Sequence, residues 1–326
     1  MRAASASLQN KEGKSRDFVT SYNYHCEIYN VCPHRTILSS VKGQVLDLET
    51  DRLKIEDWPP FCKALGFNRN LKWISLKSNY FKNHPEFRGD SVKFQLLQSA
   101  NKLIKLPAVL RVSVLDSLCQ SLVKCLNQIE ELVGLELVGL PLADQQITDL
   151  TKAFQSAGCL RHISLSHCTV GKGGIEAICK ALRNTLSVSL SSCGITVQGA
   201  VCIASVLKFQ SIKRYSEAWQ ESLRYRCPNL DRLSGLRRIT LNNNPDIADD
   251  GAVALANVLQ EDLWLKALDL QNCGIGVKGA EAFLATLDVN VALEILDLRG
   301  NSKIGGQLIQ KILEKLKRNN EGKLCE

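Results

Sequence analysis

The sequence predicts an α/β solenoid, a stack of strand–helix units, on three observations. Apolar residues recur in the spacing L-x-x-L-x-L-x-x-N/C. The copies keep a steady period: the steps from Leu132 to Leu160, from Leu236 to Leu265 and from Leu265 to Leu293 agree to within a single position. A Gly-Ala pair follows at an offset steady to within a single position, as Gly199-Ala200, Gly251-Ala252 and Gly279-Ala280. A period of about 28 residues suits one strand plus one full helix, and a single unit cannot bury its own apolar face.

Each element follows from its residues. The matches are Leu71, Ile74, Leu76 and Asn79; Leu132, Leu135, Leu137 and Leu140; and Leu160, Ile163, Leu165 and Cys168. Leu236, Ile239, Leu241 and Asn244 continue the series, then Leu265, Leu268, Leu270 and Cys273, and Leu293, Leu296, Leu298 and Asn301. The alternating L-x-L core reads as a strand with its leucines inward. The Asn or Cys turns the chain and bonds loop backbone that burial would otherwise leave unpaired. Glycine suits the tight entry to the helix and alanine its close packing. Apolar spacing such as Ala252, Leu255, Ala256 and Leu259 continues the helix. This is a leucine-rich-repeat solenoid, expected as a ribonuclease-inhibitor-like horseshoe with parallel strands concave and helices convex.

The expected organisation is a disordered tail at 1–16, an N-terminal cap at 17–70, repeats over 71–318 with an insert at 208–235, and a tail at 319–326. Val45-Leu46-Asp47-Leu48 and Trp58–Leu65 read as cap, and the charged helix Leu308–Lys317 closes the other end. Three places break the pattern. The step from Leu71 to Leu132 is about twice the period, which reads as two repeats with a degenerate middle one whose helix is Val112–Leu126. Leu186 and Val188 stand two apart instead of three, which predicts a distorted strand. The third break is the insert itself.

Composition narrows the function. Hydrophobic residues at 45% and charged residues at 23% suit a soluble, well-cored chain. A net charge of +8 is too diffuse to indicate nucleic acid. No apolar run is long enough for a secretion signal or a membrane span. The 13 cysteines form no C-x-x-C pair and read as reduced thiols in the cytosol. Gly171-Lys172-Gly173-Gly174 lacks the order of a phosphate loop. His162 and His167 lack the spacing of a zinc pair, and His162 falls on the outward side of a strand. No nucleophile signature is present. The expectation is a binding protein rather than an enzyme, with no catalytic residue, cofactor, metal or small-molecule substrate.

Two regions carry the candidate contacts. The insert holds Lys208, Lys213, Arg214, Arg224, Arg226 and Arg232 interleaved with Tyr215, Trp219 and Tyr225, residue types that dominate interface energetics. Trp219, Arg224, Tyr225 and Arg226 are its partner-binding candidates. A packed helical excursion is the competing reading. Outward strand positions are small and hydroxylated in the middle and charged towards the C-terminus. Arg238, Asp269, Gln271, Asp297 and Arg299 are therefore the candidates for a polar partner segment.

Four stretches carry a resemblance: Asp17–Asn30, Val45–Trp58, Ser216–Asn243 and Glu261–Ile275, the third including ESLRYR-C-P-N-L. Over residues 17–318, and most closely over 210–300, the chain resembles the family of the centrosomal protein of seventy-eight kilodaltons. The resemblance implies a scaffold or adaptor in the cytoplasm and cytoskeleton, at the centrosome, the centriole and the ciliary basal body, linked to ciliogenesis. It implies centriolar proteins and the substrate receptor of a ubiquitin ligase as partners. The family's C-terminal coiled coil has no counterpart in these 326 residues. Other long-repeat proteins regulate a GTPase, inhibit a cytosolic enzyme or cap actin filaments, and these are the alternatives.

Overall fold

A computed structural model of the chain describes residues 17–84, 106–182, 185–223 and 233–321. These fall into two compact units divided between Thr169 and Val170. In each, short parallel strands alternate with helices, the α/β leucine-rich-repeat arrangement expected.

The first unit opens with α1 (Phe18–Ile28), α2 (Arg35–Ser40) and the two-residue strand β1 (Val41–Lys42). Asp17 caps α1, its carboxylate accepting the Thr20 N–H at 3.0 Å. β1 runs antiparallel to β2 (Val45–Glu49). The helix α3 (Trp58–Phe67) follows β2, and Phe61 meets Phe18 of α1 edge-on at 5.8 Å. β2 pairs in parallel with β3 (Trp73–Lys77), from Val45↔Trp73 to Glu49↔Lys77. Residues 45–67, read from sequence as cap, therefore form a full strand–helix repeat. The elements before them cover its edge.

β3 pairs directly with β4 (Gly134–Val138), and β4 with β5 (His162–Ser164). This corrects the expectation of a degenerate repeat between Leu71 and Leu132. Backbone bonds between β3 and β4 leave no place for a strand. The connection carries α4 (Tyr80–Asn83) and α5 (Val112–Leu126), and residues 85–105 lie outside those described. The helix α6 (Asp144–Ser156) follows β4.

The second unit runs α7 (Lys172–Ala181), β6 (Ser187–Ser189), α8 (Val197–Ser222), β7 (Arg238–Thr240) and α9 (Ala248–Leu259). It ends with β8 (Ala267–Asp269), α10 (Val277–Thr286), β9 (Ile295–Asp297) and α11 (Gly306–Glu321). Its strands stay in register through Ser187↔Arg238, Arg238↔Ala267 and Ala267↔Ile295. The strand expected to be distorted is regular. Register places Thr185 opposite Leu236, and Thr185 is buried. Thr185, Val188, Leu190 and Cys193 thus complete the repeat spacing, with a β-branched threonine in the first apolar position.

Two ladders hold the repeats of the second unit together. Asn244 is fully buried. Its side-chain oxygen accepts the N–H groups of Cys193 and Ile195, both at 3.0 Å. Its Nδ2 donates to the carbonyls of Leu190 at 3.0 Å and Leu241 at 2.7 Å. Asn301 repeats the pattern on Cys273, Ile275, Leu270 and Leu298. At the cysteine positions the thiol bonds more weakly, Cys273 donating to the Leu241 carbonyl at 3.1 Å. In the first unit Cys168 does the same to Leu137 at 3.2 Å. Asn79 departs from this ladder: it is half-buried and its Nδ2 donates to Glu49 at 2.8 Å. Asp51 organises that turn instead, accepting from the Asn79 N–H at 2.8 Å and the Ser78 hydroxyl at 2.6 Å.

The second ladder is steric. A Cβ on Gly251 would stand 3.1 Å from the Cβ of Ala200, and one on Gly279 would stand 2.8 Å from the Cβ of Ala252. Each glycine receives the alanine of the preceding helix, which sets how closely α8, α9 and α10 approach. The residue before Cys168, Cys193, Asn244, Cys273 and Asn301 is left-handed: His167, Ser192, Asn243, Asn272 and Gly300 have φ of 63°, 56°, 59°, 53° and 77°.

Asn244→Ala strips partners from four buried backbone groups and is expected to cost about 3 kcal/mol or more. Cys273→Ala removes a weak donor and a small volume and is expected to cost about 1–2 kcal/mol. Urea unfolding of the two variants checks the order.

Candidate functional site

The strands of the second unit end in a layered charge network. Arg238 donates to Asp269 at 2.7 Å, and the Thr240 hydroxyl donates to the same oxygen at 2.9 Å. Asp269 itself is only 5% exposed. The sequence reads it as a partner contact; burial beneath Arg238 and Thr240 makes it a positioning residue instead. One strand further, the Nε and Nη2 of Arg299 donate to Asp297 at 2.9 and 2.6 Å. The Gln271 amide donates at 2.5 Å to Oδ2 of that carboxylate, the oxygen that also accepts from Arg299 Nη2. Arg299 holds the Asp297 carboxyl below the usual carboxylate range, chiefly by these bonds. The acids are spent on fixing the cations. What faces solvent is guanidinium: the side chains of Arg238 and Arg299 are 51% and 80% exposed. Two fixed forks of this kind suit carboxylates.

The insert divides by face. Residues 208–222 continue α8, whose length reaches 26 residues. Arg214, one of the insert's basic residues, is 1% exposed. It lies 3.8 Å from the buried carboxylate of Asp262, donates to the Ser234 carbonyl at 2.8 Å and covers the Trp264 ring at 5.1 Å. Burial pulls its guanidinium down to about 10, against the pull of Asp262. Gly235, with φ 126°, leaves room for it, since a Cβ there would strike the guanidinium. Gln210 ties the same helix to the Leu182 carbonyl at 2.6 Å and the Leu236 N–H at 3.0 Å. Tyr215 donates to the Glu261 carbonyl at 2.9 Å. Trp219, by contrast, is well exposed. Arg224, Tyr225, Arg226 and Arg232 lie outside the described residues.

In the first unit, register aligns Trp73, Gly134 and His162 across β3, β4 and β5. A Cβ on Gly134 would strike the Trp73 indole, so the ring lies over bare backbone and reaches His162, 5.6 Å between centroids. Beside it the Ser75 hydroxyl donates to Glu136 at 2.8 Å, and Lys77 pairs with Asp47 at 2.8 Å. Trp73 is not among the contacts expected from sequence. The signal for it is Gly134, since a glycine inside a strand marks a close approach.

No group of three or more His, Cys, Asp or Glu suited to a metal lies among the described residues. No described helix is long and apolar enough to cross a membrane. Burial pushes the thiols of Cys62, Cys119, Cys125 and Cys179 up to about 12, and that of Cys273 to about 11. Cys32 and Cys159 are exposed.

Two outcomes follow. Arg214→Ala strands the Asp262 carboxylate in the interior and is expected to destabilise the chain by about 3–5 kcal/mol in denaturant unfolding. Brief alkylation of the native chain at neutral pH, read by peptide mass spectrometry, is expected to label Cys32 and Cys159 ahead of the other described cysteines.

Comparison with known proteins agrees with this architecture. The family model described as "Leucine Rich repeat" matches residues 159–179 and 262–284. The chain is 38% identical to the centrosomal protein of 78 kDa of Homo sapiens over 98% of its own length and 46% of that protein. It is 38% identical to the Mus musculus protein of the same name, over 93% of this chain and 38% of that one. The Drosophila melanogaster homolog is 32% identical, over 95% of this chain and 38% of its own length. The chain thus spans less than half the length of these relatives. Over these residues the chain is similar to the leucine-rich-repeat region of the centrosomal protein of 78 kDa family.

Proposed function

We propose that the chain is a protein-binding scaffold of the centrosome, docking partner segments on its strand faces. The observation that carries this is the network on the second unit. Arg238 and Arg299 are aimed outward by acids that are themselves buried or tied down. A stacked-repeat sheet offers an extended surface in place of a deep cleft. Fixed guanidinium forks on that surface favour an acidic, extended partner segment. Gln271 and Asp297 serve the geometry of Arg299, as Asp269 serves Arg238. In the first unit Trp73, lying over Gly134, supplies an aromatic anchor. Arg224, Tyr225 and Arg226 are added contacts in this reading.

The finer reading takes the site to centrioles and the ciliary base, with a role in ciliogenesis. Centriolar proteins and the substrate receptor of a ubiquitin ligase are then the partners. The family relationship supports it, and none of the residues acts as a catalyst in it.

Arg238→Glu with Arg299→Glu reverses the exposed charge. Proximity labelling in ciliated cells is expected to lose a subset of centrosomal neighbours with the double variant; the new carboxylates against Asp269 and Asp297 also lower the thermal midpoint, so circular dichroism checks that the repeats stay folded at the labelling temperature. An unchanged set of neighbours would remove this face from the proposal.

A further inference from the structure

The helix α8 is apolar on two opposite sides. Ile203, Leu207, Gln210 and Arg214 bury one side against the unit. At 3.6 residues per turn, Phe209, Ile212, Ser216, Trp219 and Leu223 line the other. Its four large members are 57%, 61%, 66% and 62% exposed. Isolated exposed apolar residues need no explanation, but an aligned set this large marks an interaction site. The spacing of three, four, three and four is the a/d seam of a helix that packs on another helix.

We infer that this seam pairs antiparallel with the same seam of a second copy of the chain. Three features select that occupant. First, the order of the seam is nearly the same read from either end about Ser216. A two-fold axis at Ser216 sets Phe209 against Leu223 of the second copy and Ile212 against its Trp219–Gln220 step. Second, charge runs along the helix in opposite senses. Lys208 and Lys213 precede the centre, and Glu217 and Glu221 follow it. Antiparallel pairing lays the lysine half of one helix along the glutamate half of the other; parallel pairing would stack like on like. Third, an isologous two-fold contact is the commonest way a surface closes on itself, and it opposes the helix dipoles.

The seam is short. Residues 209–223 span about 21 Å of helix. That falls below the area of a standard interface, roughly 800 Å² per partner. The pairing is therefore weak, with dissociation in the micromolar-to-millimolar range.

Analytical ultracentrifugation of the whole chain from about 10 to 500 μM, a range that brackets such dissociation, tests this. The expected result is a monomer–dimer equilibrium that Trp219→Asp abolishes while the thermal midpoint is kept. Ser216→Leu fills the seam with a second apolar layer and is expected to tighten the dimer about 10-fold or more. A gain confined to a discrete dimer, with the thermal midpoint kept, separates it from non-specific association. Orientation is read separately, with Cys32, Cys159, Cys227 and Cys325 changed to serine. Ser216→Cys then crosslinks to its own copy on oxidation well before Leu223→Cys does, because only the axial position meets itself. A chain monomeric throughout overturns the inference, as does dimerisation indifferent to both Trp219→Asp and Ser216→Leu. Equal crosslinking at both positions overturns the antiparallel arrangement.

Discussion

Everything in the second unit depends on one need: the backbone at each strand-to-helix turn is buried and must find hydrogen-bond partners. A strand of three residues makes too few ladder bonds to hold a repeat alone. Asn244 and Asn301 supply the rest, each serving two N–H groups and two carbonyls, one of its carbonyls in its own repeat. An unpaired buried amide is costly enough that the turn and the asparagine come as a unit. Cysteine fills the same place with less, since a thiol donates one weak bond and accepts little. The alternation Cys193, Asn244, Cys273, Asn301 in the second unit is thus a division of labour. A cysteine turn receives its two N–H partners from the asparagine of the next repeat.

Much of the fold was legible because it is written in spacing. Leucines at intervals of three and two fix inward and outward faces, and the Gly-Ala pairs mark where helices must come close. The misreadings have physical causes. Thr185 is polar by type but β-branched, and it fills a leucine position that a purely apolar template passes over. Val45–Glu49 lacks the leucine three residues before its core and so reads as cap, although β3 pairs with its full length. The span between Leu71 and Leu132 matched two periods by length alone. Length says nothing about which strands are neighbours.

The site was less legible, because sequence shows which charges lie on a face but not which are already used. Arg238, Asp269, Gln271, Asp297 and Arg299 do gather on one face. Only the structure separates exposed guanidinium from the carboxylates beneath it. Arg214 shows the same limit in the other direction. Nothing in its neighbourhood announces a buried cation, and its partner Asp262 lies far along the chain, beyond both β7 and α9. Gly235 and Trp264 make sense only once that pair is known. Trp219, a few residues on, has the opposite fate because the helix by then has outrun the unit it packs on.

That overrun bears on how such a chain can be altered. The strands β6 and β7 stay in register although residues 190–237 separate them. Closing a longer loop costs little more than closing a short one, and the first part of the extra length simply continues α8. The anchoring residues Gln210, Ser211, Arg214 and Tyr215 finish the attachment before the projecting turns begin. The distal part of the helix is therefore a natural grafting point. A recognition peptide, a fluorophore tether or a longer helical arm could be installed beyond Tyr215 without disturbing the scaffold that carries it.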